Sequence, residues 1–260
     1  MKNYITFLQY LFTFSMYLLG GVLLSAALMP PIYLTFYFWQ LIQPNSLIMK
    51  TIVISSGIGM GYFLFGLTLM FETVILKVIL SLKLKEGEYN FFSLQGAKWA
   101  FVNAVMLIVN LTFMDFMRLT PLLPLYYRLM GAKIGKRVQI NTKGLADVSL
   151  LEIDDDTVIG GDAVLIGHLA EHGKLKLKKT KIGKKVTIGL GSVIMPGSSI
   201  GDESLIAARS VLSKNTIVPE RSLFAGTPAK FIKTLGSNKE NRESSYCRIQ
   251  LSLSRVKGFR

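Results

Sequence analysis

The chain has 260 residues but only one cysteine and two histidines. A single cysteine excludes an intramolecular disulfide framework and any multi-cysteine zinc site. Two histidines exclude a three-histidine metal centre within one chain. Acidic residues are few, 16 against 30 Lys and Arg, for a net charge of +14. With 23 Gly and 8 Pro there is no glycine-every-third-residue repeat, and at 50% hydrophobic the chain is too apolar to be disordered throughout. Charge is missing altogether between Lys2 and Lys50.

The apolar excess lies mostly in residues 1–130, whereas the positive charge is spread: +4 in residues 1–130, +6 in 131–235 and +4 in 236–260. A basic surface beside a bilayer accounts for that spread more naturally than nucleic acid does. A bilayer crossing takes about 20 apolar residues. The 47 uncharged residues after Lys2 suffice for one long helix, with a kink or break expected at Pro30-Pro31. A cleavable signal peptide has a much shorter apolar core. Gln43-Pro44-Asn45-Ser46 marks a turn, and a second apolar run from Ile48 to about Leu82 ends among Lys77, Lys83 and Lys85. Lysines suit a helix C-terminus and a cytoplasmic edge. Gly57 with Gly61, and Gly21 with Ser25, have the spacing of close helix contacts, although glycine is also simply common in membrane spans. Residues 1–88 are therefore expected to form a two-helix transmembrane hairpin.

Phe91 to Met117 is a third apolar stretch, interrupted by Lys98, Asn103, Asn110 and Asp115. Charge in lipid is costly, so residues 89–125 are expected to form an interfacial or re-entrant helix and linker. Tyr126, Tyr127 and Arg128 are expected at the membrane surface.

After Gly131 the pattern changes. An apolar residue recurs at every sixth position: Ile182, Ile188, Ile194, Ile200, Ile206, Leu212, Val218 and Phe224. Small or β-branched residues fall four places after each repeat position, as at Val186, Ser192, Ser198 and Ser204. Earlier blocks carry Ile134 and Ile140, then Ile153, Ile159 and Leu165. A period of six is that of a hexapeptide β-helix, three hexapeptides closing one triangular coil. Its ends need caps. The register breaks between Leu165 and Ile182, and both histidines of the chain, His168 and His172, lie in that break. A loop ejected from a rigid stack is a natural place for function. Asp154-Asp155-Asp156 reads as a turn filler rather than a metal site.

These features, with Ala225-Gly226-Thr227-Pro228-Ala229-Lys230, resemble the hexapeptide-repeat acyltransferase superfamily over residues 126–235. A narrower similarity is to the C-terminal regions of polylysine-synthase-like enzymes, carried by residues 127–135, Leu151-Glu152-Ile153-Asp154 and His168-Leu169-Ala170-Glu171. The resemblance implies an all-β, left-handed parallel β-helix behind the helical hairpin. It implies acyl transfer from acetyl-CoA or another acyl thioester to a hydroxyl or amine, without a metal. It also implies a homotrimer, and a carrier protein as a possible thioester donor. Residues 236–260 are expected to be a disordered basic tail.

Within that family chemistry, His168 is the expected general base, since an imidazole titrating near neutrality suits proton removal from the acceptor. Glu171 is expected to orient it. His172 is a weaker candidate. Lys230 in the Gly-Thr-Pro-Ala turn, with Gly226, Thr227, Pro228 and Ala229, is expected at the coenzyme A site, whereas Arg209, Lys214 and Lys233 are either further phosphate-binding residues or solvated turn positions. The lysines of residues 174–181 suit anionic headgroups, a carrier protein or a solvated hairpin. Three other readings stay open: aminoacyl or peptidyl transfer from a carrier-protein thioester, a non-catalytic trimeric membrane scaffold, and, least suited with only two histidines, a γ-class carbonic anhydrase.

Overall fold

The computed structural model describes residues 2–236, so the tail from residue 237 onward lies outside the described residues. Two long helices come first, α1 (Lys2–Ile42) and α2 (Leu47–Ile79). The turn between them ends at Ser46, whose hydroxyl accepts from the Met49 N–H and caps α2. Helix α1 runs through Pro30 and Pro31 without the break that the two prolines suggest. A side chain on Gly57 would meet the Thr35 side chain at 2.6 Å, and one on Gly61 would meet Pro31 at 3.2 Å, so the two glycines admit α1 at the level of its prolines. Gly21 has no such neighbour.

Strand β1 (Gly87–Asn90) and helices α3 (Leu94–Thr112), α4 (Met114–Met117) and α5 (Leu122–Leu129) follow. Among the described residues three segments, Tyr10–Ile42, Leu47–Ile79 and Leu94–Thr112, are long and apolar enough to cross a membrane. Many side chains of α1 and α2, such as Tyr17, Met29, Ile58 and Met60, are exposed. Tyr126 and Tyr127 depart from expectation. Both are buried, and the Tyr126 hydroxyl lies 3.1 Å from that of Thr73 on α2. Their rings complete the seam between α5 and α2, which outweighs an interfacial position. Arg128 donates from Nε to the Ile134 carbonyl at 2.8 Å.

The second half is a three-sided parallel β-helix. Its strands are β2 (Lys133–Ile134), β3 (Gln139–Ile140), β4 (Leu151–Ile153), β5 (Val158–Ile159) and β6 (Val164–Leu165). A hairpin of β7 (His168–Glu171) and β8 (Lys174–Leu177) interrupts them. The coils resume with β9 (Thr180–Ile182), β10 (Thr187–Ile188), β11 (Val193–Ile194), β12 (Ser199–Ile200), β13 (Leu205–Ile206), β14 (Val211–Leu212) and β15 (Ile217–Val218). They close with β16 (Ser222–Gly226) and β17 (Ala229–Thr234).

The hexad residues stack as the period demands. Ile134, Ile153, Ile182, Ile200 and Val218 form one face, and Ile140, Ile159, Ile188, Ile206 and Phe224 the next. Leu145, Leu165, Ile194 and Leu212 form the third. All are buried, each contributing about 1.5–3 kcal/mol of apolar burial. Buried hydroxyls join the coils: Ser192 and Ser204 donate to the carbonyls of Ala207 and Pro219, both at 2.8 Å. The corner between the first two faces carries a charge ladder that includes Arg137–Asp156 at 2.6 Å and Arg221–Glu203 at 3.1 Å. Asp155 accepts the Lys136 N–H there, so the aspartate run is a built corner. One hydrophobic core continues from Leu23 and Ala27 on α1 through to Phe224.

Candidate functional site

Two irregularities in the repeat, not one, build the site. Leu165 pairs with Ile194, 29 positions on, whereas Ile194 pairs with Leu212, 18 positions on. The surplus is the β7–β8 hairpin. Within it His172 and Gly173 have φ of 50° and 74° and form the two-residue turn, leaving His172 exposed at the tip. The hairpin does not stand alone, because β1 adds to its edge through Gly87–Leu177 to Asn90–Lys174 pairing. The second irregularity is in the first coil, where Ile140 to Ile153 spans 13 positions instead of 12. That extra residue brings in Asp147, with φ 52°.

Asp147 and His168 meet at the same corner of adjacent coils, just past Leu145 and Leu165 of the third face. His168 Nδ1 is 2.5 Å from Asp147 Oδ2. The carboxylate is fully buried, while the imidazole is 28% exposed. Asp147 Oδ2 also accepts the Gly167 N–H at 3.0 Å, and Oδ1 accepts from Asn103 Nδ2 at 2.9 Å. A carboxylate only accepts, so an imidazole proton is on Nδ1, and in the neutral ring the lone pair falls on Nε2. Gly167 permits the approach: a side chain there would meet the Asp147 and Leu150 Cβ atoms at 3.1 Å.

Helix α3 forms one wall of the site. The Trp99 ring meets the His168 ring edge-on, with centroids 5.0 Å apart, and Phe91 meets Trp99 at 6.2 Å. Leu84, Leu150, Leu175 and Leu177 make a small second core beneath them. Among the described residues, no group of three His, Cys, Asp or Glu side chains has a metal-binding arrangement.

Glu171 is not placed to orient His168. Side chains three apart on a strand point to opposite faces. Glu171 instead pairs with Lys214 at 2.5 Å and Lys176 at 3.5 Å. The hydrogen bond from Lys214 holds its carboxyl below the usual glutamate range. Lys214 is thereby engaged in pinning the hairpin to a later coil.

The Gly226–Lys230 segment is the turn of the β16–β17 hairpin, with Lys230 opposite Ala225 and Lys233 opposite Leu223. The Gly226 N–H donates to Ser210 Oγ at 3.2 Å, and the Thr227 hydroxyl lies 3.5 Å from the Arg209 carbonyl. Arg209, Gly226, Thr227, Pro228, Ala229 and Lys230 are thus brought together. They occupy the corner before the third face, whereas His168 occupies the corner after it. The face carrying Leu165, Ile194 and Leu212 separates the two groups within one chain.

Asp147, Asn103 and Trp99 escaped the sequence reading. The 13-position step between Ile140 and Ile153 was the available signal for Asp147. Asn103 and Trp99 left none beyond being polar or amphipathic in an apolar helix.

No protein-family model matches the chain. The δ-poly-L-ornithine synthetase of Acinetobacter baumannii is 26% identical over 117 residues, 45% of this chain and 9% of that protein. The galactoside O-acetyltransferase of Escherichia coli K12 is 32% identical over 121 residues, 41% of this chain and 59% of that protein. The chain therefore spans less than two thirds of the length of either relative. Among solved structures, a hexapeptide-repeat-containing acetyltransferase from Vibrio cholerae, complexed with acetyl coenzyme A, is 26% identical. That match covers 41% of this chain and 62% of that one, with a TM-score of 0.37. The resemblance to hexapeptide-repeat acyltransferases is borne out by the curated relatives, which include a galactoside O-acetyltransferase and a poly-ornithine synthetase.

Proposed function

We propose that the chain is a membrane-anchored acyltransferase. It moves an acetyl-like group from a coenzyme A thioester to a hydroxyl or amine of a membrane-associated or small acceptor. The observation that carries this reading is the imidazole of His168 fixed through Nδ1 by a buried carboxylate, on a β-helix whose relatives include acetyltransferases.

His168 Nε2 takes the proton of the acceptor O–H or N–H as that atom attacks the thioester carbonyl carbon. The tetrahedral intermediate then collapses with cleavage of the C–S bond. The imidazolium returns its proton to the leaving thiolate, so the base is regenerated. Asp147, accepting from Nδ1, stabilises the transient imidazolium. Arg209 and Lys230 suit the phosphates of the donor, with Gly226, Thr227, Pro228 and Ala229 shaping the turn beneath it. Their separation from His168 within one chain favours a trimer, in which the third face of one copy and the turn of its neighbour share a cleft.

Helices α1 and α2 anchor the enzyme with the β-helix on the cytoplasmic side. Helix α3 lies at the interface, a reading supported by Trp99 and Asn103 turning toward the β-helix. The test is calorimetry with coenzyme A and thiol release from acetyl-CoA by the detergent-solubilised protein. Binding and acceptor-dependent release are expected, and no binding at millimolar ligand overturns the reading in favour of a scaffold. A second donor, an aminoacyl or peptidyl thioester on a carrier protein, is supported by the match to the poly-ornithine synthetase. Transfer from a loaded carrier but not from acetyl-CoA selects it.

A further inference from the structure

The His168–Asp147 pair is not finished by the β-helix. Among the described residues three groups donate to the Asp147 carboxylate, and two of them come from the hairpin root, His168 Nδ1 and the Gly167 N–H. The third is the side chain of Asn103, in the middle of α3. Its Nδ2 also donates to the Trp99 carbonyl at 2.9 Å, which ties the amide to its own helix and fixes its orientation. One turn earlier, Trp99 lies edge-on to the imidazole.

Helix α3 is itself held firmly on both sides. A side chain on Gly96 would meet the Phe91 carbonyl at 2.2 Å, so the helix start is pressed onto the β1 turn. At its far end the Tyr62 hydroxyl donates to the Thr112 carbonyl, and Gly20 faces Ile108. The same helix therefore touches the bilayer-type helices α1 and α2 with its last turns and the imidazole–carboxylate pair with its first half and middle.

Resting on the acyl-transfer reading above, we infer that Asn103 is a positioning residue for the reaction. It fixes the Asp147 carboxylate, and through it the tautomer and direction of His168, from outside the β-helix. An orphaned Oδ1 in a fully buried carboxylate has no solvent to replace Asn103, so the carboxylate turns when the amide is removed. That turn loosens the hold on Nδ1. The consequence is that the helical half does more than anchor: it supplies one of the contacts on which the base depends.

The test uses the full chain in detergent with ¹⁵N-labelled histidine. The wild type is expected to show a far-downfield Nδ1 proton from His168, absent in Asp147→Asn. Asn103→Ala should shift or broaden that signal, and Asn103→Leu, which keeps the side-chain shape, should do the same. In thiol-release assays both variants should lower kcat by about 10- to 100-fold, the scale of one hydrogen bond to a charged group, with KM for acetyl-CoA unchanged. Asn103→Ala combined with Asp147→Ala should be no worse than Asp147→Ala alone, because the two act as one unit.

A wild-type proton signal in a folded Asn103→Leu protein overturns the inference, as do additive losses in the double variant. If the proton signal responds as expected but no thioester is consumed by the wild type, the acyl-transfer reading fails and the positioning contact stands.

Discussion

Replacing Asp147 by asparagine tests the base assignment without changing the size of the side chain. In the native site Oδ2 is shared by the Gly167 N–H at 3.0 Å and His168 Nδ1 at 2.5 Å, and Oδ1 takes Asn103 at 2.9 Å. An amide has one oxygen for these two positions. With the oxygen toward His168, the new NH₂ faces the Asn103 NH₂, and Asn103 has to turn and abandon the Trp99 carbonyl. With the oxygen toward Asn103, the new NH₂ faces the imidazole. The ring then accepts at Nδ1 and carries its proton on Nε2, where the acceptor's proton has to go. A lost charge-assisted bond costs about 1.5–3 kcal/mol, and loss of the correct tautomer removes a contribution of about 100- to 10,000-fold. Asp147→Asn is therefore expected to lower kcat in that range, with KM for the thioester little changed and the circular dichroism spectrum native. Thiol release from acetyl-CoA with a productive acceptor is the assay. Activity within about threefold of wild type refutes the claim that Asp147 orients the base.

Further outcomes are expected elsewhere. Ile194→Ala opens a void between Leu165 and Leu212 in the buried third face and should cost about 2–5 kcal/mol in a thermal or denaturant melt. Gly167→Ala forces its Cβ against Asp147 and Leu150, and a several-fold fall in turnover with little loss of stability should follow. The Glu171 carboxyl, held below its ordinary range chiefly by Lys214, should titrate low by NMR and rise in Lys214→Ala. Since its folded pKa is depressed, its contribution to holding the hairpin is present at neutral pH and is lost as the pH falls through the lowered value. The membrane reading expects the protein to resist alkaline extraction and to require detergent, as membrane fractionation will show.

The β-helix was legible because its core is one-dimensional. Each hexad residue from Ile182 to Phe224 faces inward and stacks on its equivalent one coil away, so a single period specifies strands, faces and burial together. The close contact of α1 with α2 at Gly57 and Gly61 was legible for a similar reason, since spacing alone puts both on one face. Periodicity says nothing of the corners. Asp147 reaches His168 because two coils break register at the same corner, a coincidence of tertiary position. Glu171 looked like the partner by nearness in sequence, yet strand alternation turns it away toward Lys214. Asn103 read as a polar intrusion in an apolar helix, and only the packing of α3 on the first coils gives it a partner. Tyr126 and Tyr127 carry the composition of an interfacial belt but fill the seam behind α2.

The most direct test of the central claim is a structure of the assembled protein with a non-hydrolysable acetyl-CoA analogue. The acyl carbonyl carbon should lie where an acceptor atom can sit within about 3 Å of both it and His168 Nε2. The donor phosphates should lie against Arg209 and Lys230 at a subunit cleft. An analogue bound at a different corner, with His168 facing open solvent, would contradict the account.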